Sequence, residues 1–524
     1  MSLKVLKSVS IVGSMTLLSR ISGLIRDVIF ANILGDKAAA DIFFVAFRIP
    51  NFFRRIFGEG AFSAAFVPVF TEYRVTRSQS ETESFLQLTI GRLGLILIVT
   101  SVVGVITAPY LVSLLAAGFT DDPEKFNLTV EATRITFPYL FFISFVAMSA
   151  GMLNSCGRFA APAATSVLLN ICLIAAALIL VPRMNSSPIA LSIGVLIAGV
   201  VQLLFQIPFL KKEKLTMRPR IRVRKEDERG KQGVSQVFRL VVPAIFGVSV
   251  AQINVVVNTI LASFLVTGSI SWLYYSDRLM EFPVGVFGIA LSTAILPHLS
   301  RIHSEKSDES FAHTLDWAAR WVFLVTLPCT VGLVLLAEPI VSAIYFHGDF
   351  TENGVRMTAM SLIAYSLGMT AIVMVKILAP GFYARQNTKT PVRIAMISMG
   401  LNIVFCLILI LPLKHVGLAL STTLSSVFNA AMLFVLLRRE QVFVVQPGWS
   451  IYLGRIVLAS SLMGCFLWLF RDQGDIWLTM SVWQRVLKLM VLIGCSGTLY
   501  LMTLWVTGLR PRMLILDKNN NETR

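Results

Sequence analysis

Long apolar runs recur along the whole chain at the spacing of membrane-spanning helices. The runs are continuous and do not alternate between apolar and polar residues, which disfavours a closed β-barrel, the other structure that crosses lipid. A spanning helix needs about 20 mainly apolar residues, so the pattern predicts about fourteen helices. Several contain an internal proline, as at Pro50, Pro283 and Pro380. The helices are expected near residues 7–34, 39–72, 86–117, 127–154, 159–181, 188–210, 235–265, 270–300, 310–337, 355–383, 391–412, 415–438, 450–470 and 484–508.

Composition supports a protein that lipid solvates. Of the 524 residues, 56% are hydrophobic and only 14% are charged, and the mean hydropathy is +0.75. Soluble domains carry about 25% charged residues. The predicted fold class is therefore an all-α integral membrane protein.

The net charge of +17 is concentrated in the predicted loops. Basic loops alternate with short or acidic ones, which is the positive-inside pattern of membrane proteins and not a sign of nucleic-acid binding. Both termini and the long basic loop 211–234 are predicted to be cytoplasmic. We interpret this loop as a solvated linker, with binding of anionic lipid head groups as the alternative.

No metal site or cofactor is predicted. The six cysteines are scattered singly, and the five histidines form no HExxH pattern. No CxxC or Cys/His spacing suggests a metal site, and no glycine-rich phosphate loop follows a strand pattern.

Two pairs of segments indicate an internal repeat. IFGEGAFSAAFVP, ending at Pro68, is similar to VFGIALSTAILP, ending at Pro297, and GMLNSCGRFAAP is similar to GFYARQNTKTP at nearly the same offset. Chance similarity among apolar segments is the alternative. The offset spans six predicted helices, an even number, so the two halves keep the same orientation, as in some transporters whose substrate site lies between halves. The repeat predicts two pseudo-symmetric six-helix bundles, 1–210 and 235–440, then two additional helices in 448–510 and a cytoplasmic tail, 511–524.

Charged residues inside these apolar segments are the candidate site. An arginine at the centre of a spanning helix costs about 2.5–3.5 kcal/mol, so several are expected only around a hydrated cavity. The set comprises Arg20, Arg26, Asp27, Asp41, Arg54, Arg55, Glu59, Asp277, Arg278 and Glu281.

A cationic cavity is suited to an anion. Guanidinium groups stay protonated and offer a fork of donors that matches phosphate oxygens. Arg20, Arg26 and Arg278 could together balance a pyrophosphate, and the other charged residues are interpreted as cavity or gating groups. The alternative is that these side chains form internal salt bridges or extend to the membrane interface.

Four longer segments carry a resemblance to a known family. They are SRISGLIRD, AADIFFVAFRIPNFFRRIFGEGAFSAAFVPVF, SWLYYSDRLMEFPVGVFGIALSTAILP and LAPGFYARQNTKTPV. They resemble segments of the MurJ (MviN) lipid II flippases, which belong to the multidrug/oligosaccharidyl-lipid/polysaccharide exporter superfamily. The resemblance covers nearly the whole chain. It implies a MATE-like flippase of the bacterial inner membrane that moves lipid II, the undecaprenyl-pyrophosphate-linked peptidoglycan precursor.

The resemblance also implies roles for particular residues. Arg20, Arg26 and Arg278 match the family's cavity arginines, which are expected to hold the pyrophosphate, and Asp41 matches an acidic residue near the outward gate. The last two helices match a pair that forms an apolar groove for the lipid tail. The implied partners are lipid II, membrane lipids and cell-wall synthesis enzymes. Functionally sensitive positions of the second helix match Arg54, Arg55 and Glu59.

One departure from the family concerns the coupling ion. Some members bind sodium through aspartates in the seventh and eleventh helices, where this chain has Asn254, Asn258 and Asn402. Sodium coupling is therefore not predicted, and membrane potential or protons stay open.

Three other functions are weighed against this one. Export of another polyprenyl-linked glycan or of small amphipathic compounds is the runner-up. A membrane glycosyltransferase would need a catalytic acidic motif, and the short acidic loops contain no DxD. A scaffold would leave the intramembrane charges unexplained.

Overall fold

The structure is a computed structural model that describes residues 3–53, 62–184, 186–216, 218–222, 228–305, 307–472 and 474–510. These residues form helices and loops, with no strand among them, which confirms the predicted all-α class. The chain divides into two compact units, Met1–Ser271 and Trp272–Arg524.

The N-terminal unit contains ten α-helices in its described part. They are α1 (Leu3–Leu34), α2 (Ala38–Phe53), α3 (Phe62–Thr76), α4 (Gln79–Ile106), α5 (Ala108–Leu115), α6 (Pro123–Thr136), α7 (Tyr139–Ser155), α8 (Ala160–Ile179), α9 (Ser187–Lys212) and α10 (Glu228–Ser263).

The C-terminal unit continues from helix α11, which begins just before the boundary between the units. Its elements are α11 (Ser269–Pro283), a π-helical turn (Val284–Gly288), α12 (Ile289–Ser304), α13 (Asp308–Leu335), α14 (Ala337–Tyr345), α15 (Glu352–Ser366), α16 (Met369–Tyr383), α17 (Lys389–Arg439), α18 (Trp449–Phe470), α19 (Gly474–Thr479) and α20 (Val482–Val506).

Nine helical segments in the described residues are long and apolar enough to cross a membrane. This finding supports a multi-pass membrane protein, while the total of about fourteen spans stays a prediction. The segments are Gln79–Ile106, Pro123–Ser155, Ala160–Arg183, Ser187–Lys212, Asp308–Leu335, Glu352–Tyr383, Lys389–Arg439, Trp449–Phe470 and Val482–Val506.

The two predicted helices on either side of Lys414 form a tight turn. Lys414 has φ 50° and ψ −128°, values outside the helical region, so the backbone of α17 reverses there. Gly417 permits the close approach, because a Cβ at this position would lie 2.3 Å from the carbonyl oxygen of Leu409. The turn separates the predicted helices 391–412 and 415–438 as expected.

A stack of phenylalanine rings lies within the core of the N-terminal unit. Phe62, Phe66 and Phe70 recur every four residues on α3, so they share one face of the helix. Their rings stack at centroid distances of 5.4 and 5.5 Å, and Phe85 of α4 stacks on Phe66 at 6.0 Å. All four side chains are buried. Aromatic packing therefore fixes α3 against α4.

Helix α10 belongs to the N-terminal unit, although the repeat predicts it as the first helix of the second bundle. The hydroxyl of Tyr73 on α3 donates to the carbonyl of Arg229 at 2.6 Å, and Gly233 lies so close to Tyr73 that a Cβ would come within 2.6 Å of its ring. Packing thus places the boundary at Ser271, one helix later than the predicted boundary at the basic loop. The predicted six-helix repeat itself stays a prediction.

The additional helices α18 and α20 are fastened to α13. The carboxylate of Asp316 accepts from the indole nitrogen of Trp449 at 2.6 Å and pairs with Arg320 at 2.8 Å. The hydroxyl of Tyr452 donates to the carbonyl of Arg320 at 2.8 Å, and that of Tyr500 donates to the carbonyl of Leu324 at 2.7 Å. The two helices are therefore an integral part of the C-terminal unit.

Candidate anion-binding site

Arg26 lies in a closed polar network inside the N-terminal unit. Its Nε and Nη2 donate to Asp27 Oδ1 at 3.0 and 2.6 Å, and its Nη1 donates to the amide oxygen of Asn170 at 2.9 Å. The amide nitrogen of Asn170 donates in turn to the Ser19 carbonyl and the Ser22 hydroxyl of α1. Arg26 is 5% exposed and Asp27 is 3% exposed. The charge of this guanidinium is therefore compensated within the protein.

Arg20 stands in a different environment on the same helix. Its side chain is half-buried, and none of the described residues supplies it with a hydrogen-bond acceptor or a carboxylate. At 1.5 Å per residue, Arg20 lies about 9 Å along the helix axis from Arg26. A guanidinium keeps its charge at any physiological pH, so Arg20 is a cation that can accept an external anion.

Asp41 caps the N-terminus of α11. Its Oδ2 accepts from the backbone N–H of Gly268 at 2.8 Å, and its Oδ1 accepts from that of Ser271 at 3.0 Å. Lys125 supplies a counter-charge, with Nζ 3.4 Å from the Asp41 carboxylate. The first N–H groups of a helix lack partners within the helix and favour a negative charge. Asp41, which is 2% exposed, is therefore held by three donors, and its expected gating role stays a prediction.

The charged residues of α11 are more accessible. Arg278 Nη1 pairs with Glu281 at 3.0 Å, and the two side chains are 38% and 48% exposed. The Arg278 guanidinium also lies over the ring of Tyr274, 5.3 Å from its centroid, and Asp277 is exposed. This pair is weak enough to open, since exposed ion pairs contribute only about 0–1 kcal/mol.

Three of the predicted site residues, Arg54, Arg55 and Glu59, lie outside the described residues. The next arginine before them, Arg48, donates to the hydroxyl of Thr259 on α10 at 2.5 Å. This bond joins α2 to α10 inside the N-terminal unit.

Sequence reasoning missed two buried cations. Lys125 escaped attention because it lies at the first turn of α6, where a lysine looks like an ordinary helix-end charge, yet it is only 7% exposed. Arg485 lies in the first turn of α20 and is 5% exposed. Asp41, the partner of Lys125, is 84 residues away, and the acceptors of Arg485 are backbone carbonyls, so no side-chain pattern marks either residue.

Comparison with solved structures first identifies the class. An inward-facing MATE-family multidrug transporter of the MOP superfamily aligns with a TM-score of 0.67 over 81% of this chain and 94% of its own, at 15% identity. The fold is therefore that of the MOP-superfamily transporters, as predicted. A closer likeness is to a structure titled Lipid II flippase MurJ, inward closed conformation, with a TM-score of 0.77 and 29% identity over 94% of this chain and 99% of that chain.

The chain belongs to the MurJ family. The family profile described as Lipid II flippase MurJ matches residues 30–488. A Haemophilus influenzae protein named probable lipid II flippase MurJ is 42% identical over 518 residues, which cover 96% of this chain and 100% of the relative. A Vibrio cholerae protein with the same name is 43% identical over 98% of both chains.

Proposed function

We propose that this protein moves lipid II from the cytoplasmic to the periplasmic leaflet by alternating access. Full-length similarity to lipid II flippases supports the substrate, and the family consists of transporters rather than enzymes. Lipid II carries a pyrophosphate between its isoprenoid chain and its sugars. Transport of that group through lipid requires compensating cations, since an uncompensated charge in hydrocarbon is costly.

The observation that carries the proposal at the level of residues is the state of Arg20. It is a permanent cation in a membrane helix, half-buried and without a counter-charge in the described part of the chain. A position of this kind is costly for the folded protein unless an anion or water occupies it for part of the transport cycle. The pyrophosphate is such an anion.

Arg278 is proposed as a second pyrophosphate ligand. Its contact with Glu281 is solvent-accessible, so the carboxylate can be exchanged for a phosphate oxygen at small cost. A phosphate group then gains charge-assisted hydrogen bonds from the guanidinium fork.

Arg26 is proposed to act through the network that holds it. Its donors to Asp27 and Asn170 are already used, so direct binding of phosphate requires that one of these bonds opens. Without that opening, Arg26 fixes the stretch from Ser19 to Ser22 through Asn170 and thereby positions the neighbouring Arg20. Both modes predict that transport depends on Arg26, and only the first predicts direct contact with the substrate.

The proposed orientation places both termini and the basic loop in the cytoplasm of a bacterium, with the protein in the inner membrane. The excess of lysine and arginine on that side supports this orientation. The proposed substrate implies that enzymes of cell-wall synthesis supply lipid II and consume it.

Depletion of the protein tests the proposed function directly. Lipid II is expected to accumulate in the cytoplasmic leaflet when the protein is removed and to be exported again when wild-type protein is restored. Accessibility of labelled lipid II to an external probe distinguishes the two leaflets. Normal export during depletion, in cells with no second flippase, would contradict the proposal. Reconstitution with another polyprenyl-linked glycan in place of lipid II distinguishes the runner-up cargo.

A further inference from the structure

A short basic segment lies across helix α4 of the N-terminal unit. We call residues 218–222 the basic strap. The backbone N–H of Arg220 donates to the carbonyl of Gln87 at 3.0 Å, and Arg220 Nη2 donates to the hydroxyl of Ser84 at 3.2 Å. A Cβ at Gly91 would lie 2.3 Å from the Arg220 carbonyl oxygen, so glycine permits this close approach. This part of the basic loop is therefore docked on the protein, unlike the solvated linker expected from sequence.

The strap holds cations that the described structure leaves unpaired. Arg218 and Arg222 are exposed, and no acceptor for either lies among the residues described. Arg92 follows Gly91 on α4, is half-buried, and is equally without a partner in the described residues. Arg218 and Arg222 lie two residues before and after Arg220, and Arg92 follows the glycine against which the Arg220 backbone packs.

The strap lies where α4 changes from polar to apolar surroundings. From Leu95 onward α4 exposes large apolar side chains; Leu95, Ile98, Val102 and Ile106 are 46%, 51%, 52% and 67% exposed. Such residues face lipid in a membrane protein. At 1.5 Å per residue, Gly91 is about 6 Å along the axis from Leu95. The strap therefore lies at the depth of lipid head groups.

An apolar groove opens further along α4. It has a volume of 370 Å³ and is lined mainly by Ile98, Val102 and Ile106 of α4 and by Phe141 and Phe142 of α7. The spacing of Gln87, Gly91, Ile98 and Val102 by four, seven and four residues places the strap contact and the groove on one face of the helix. About 10 Å separates Gly91 from Ile98 along the axis, which is within the reach of one lipid molecule.

We propose that an anionic phospholipid of the bilayer binds at this face of α4. Its phosphate contacts the guanidinium groups of Arg92, Arg218 and Arg222, and one acyl chain lies in the groove between α4 and α7. Charge complementarity selects an anionic head group, and the groove, which has an apolar lining at hydrocarbon depth, selects an acyl chain. A soluble anion would bind to the basic strap but would leave the groove empty.

Native mass spectrometry of the full chain tests this site with phosphatidylglycerol and phosphatidylcholine of identical acyl chains. Wild-type protein is expected to retain phosphatidylglycerol preferentially. The double variant R218Q/R222Q should lower that retention roughly tenfold, because each cation near anionic lipid contributes to binding. The variant V102W fills the groove and should lower retention of both lipids. These positions are exposed, so folding is expected to be preserved and is checked by the unfolding temperature.

Matched control variants show whether the loss of lipid retention is specific to the proposed site. R438Q/R439Q removes two exposed arginines from the end of α17, and V457W adds a bulky side chain at a position of α18 that is 50% exposed. Neither should change lipid retention. Equal retention of the two lipids by wild-type protein, or equal losses in the control variants, would overturn the site. Binding of lipid II in place of phosphatidylglycerol at the strap would overturn the assignment to a bilayer phospholipid.

Discussion

Arg26 in the N-terminal unit and Arg485 in the C-terminal unit are both 5% exposed, but their charges are compensated in different ways. Arg26 is bound by a carboxylate and an amide, from Asp27 and Asn170. Arg485 donates to four backbone carbonyls, those of Ser342, Phe346, Trp477 and Leu478, at distances from 2.8 to 3.3 Å. These carbonyls lie at the last turns of α14 and α19, where unpaired acceptors and the helix dipole favour a cation.

The comparison shows that an arginine in an apolar segment does not by itself indicate a cavity. Arg485 links three helices, and four of its five N–H groups donate to backbone carbonyls. Arg26 has the same burial but belongs to a network that also contacts the backbone of the helix carrying Arg20. Arg20 is therefore distinguished by the absence of a counter-charge among the described residues. Its position in an apolar helix is a weaker indication.

Replacement of Arg485 by alanine should cause the largest loss of stability. It removes the side-chain donor of the Phe346, Trp477 and Leu478 carbonyls, whereas the Ser342 carbonyl still accepts from the Phe346 N–H, and each unsatisfied group costs about 1–3 kcal/mol. We expect a loss of at least about 3 kcal/mol, measured as a lower unfolding temperature in detergent. Arg471→Ala is the matched control, because Arg471 also donates to a helix-terminal carbonyl, that of Leu335, but is exposed. If the Arg485 variant is as stable as the wild type, Arg485 does not have the structural role that distinguishes it from Arg26.

Replacement of Arg20 by alanine should reduce transport without reducing stability. Export of lipid II is expected to fall at least about tenfold, because a charge-assisted hydrogen bond to phosphate contributes about 1.5–3 kcal/mol. The unfolding temperature should stay unchanged, since no contact within the described structure is lost. Arg393→Ala removes an exposed arginine near the start of α17 and should leave export intact. Normal export by the Arg20 variant at normal protein level would refute its role as a ligand.

The helices were predictable because hydropathy reports length and burial directly. The predicted helices 159–181 and 450–470 agree closely with α8, Ala160–Ile179, and α18, Trp449–Phe470. Hydropathy could not reveal the break between α4 and α5, where the helix resumes one residue after Thr107. It also missed the short helices α14 and α19, which lie between spans.

The site was predictable in its residue types and only partly in its pairing. Asp27 adjoins Arg26 in the sequence, so their contact is local, whereas Asn170 bonds both Arg26 and Ser22 of a helix far away in the chain. The link from Asn170 to Arg26 crosses 144 residues, a separation that carries no local signal. The same holds for Lys125 and Asp41, which are 84 residues apart.

Replacement of Asp27 by asparagine tests whether the buried charge of Arg26 depends on the carboxylate for its compensation. The amide oxygen can accept a hydrogen bond but does not neutralise the guanidinium, so a charge stays buried without its counter-charge. We expect a loss of about 1.5–3 kcal/mol in unfolding free energy, smaller than for Arg485→Ala, which also removes the packing. Asp277→Asn is the control, because Asp277 also adjoins an arginine in sequence but is exposed. Equal effects of the two variants would show that burial does not set the cost.

Replacement of Glu281 by glutamine should have the smallest effect and yet distinguishes two roles for Arg278. The exposed pair at 3.0 Å contributes about 0–1 kcal/mol, so the unfolding temperature should hardly change. If Arg278 binds the pyrophosphate, Glu281→Gln should preserve export, because it removes a competing carboxylate, whereas Arg278→Ala should reduce export. If Arg278 serves only as the partner of Glu281, both variants lose the same interaction and should export equally. Parallel export assays of the two variants at matched protein levels decide between these roles. Different export rates indicate that Arg278 binds the substrate, and equal export rates indicate that it only pairs with Glu281.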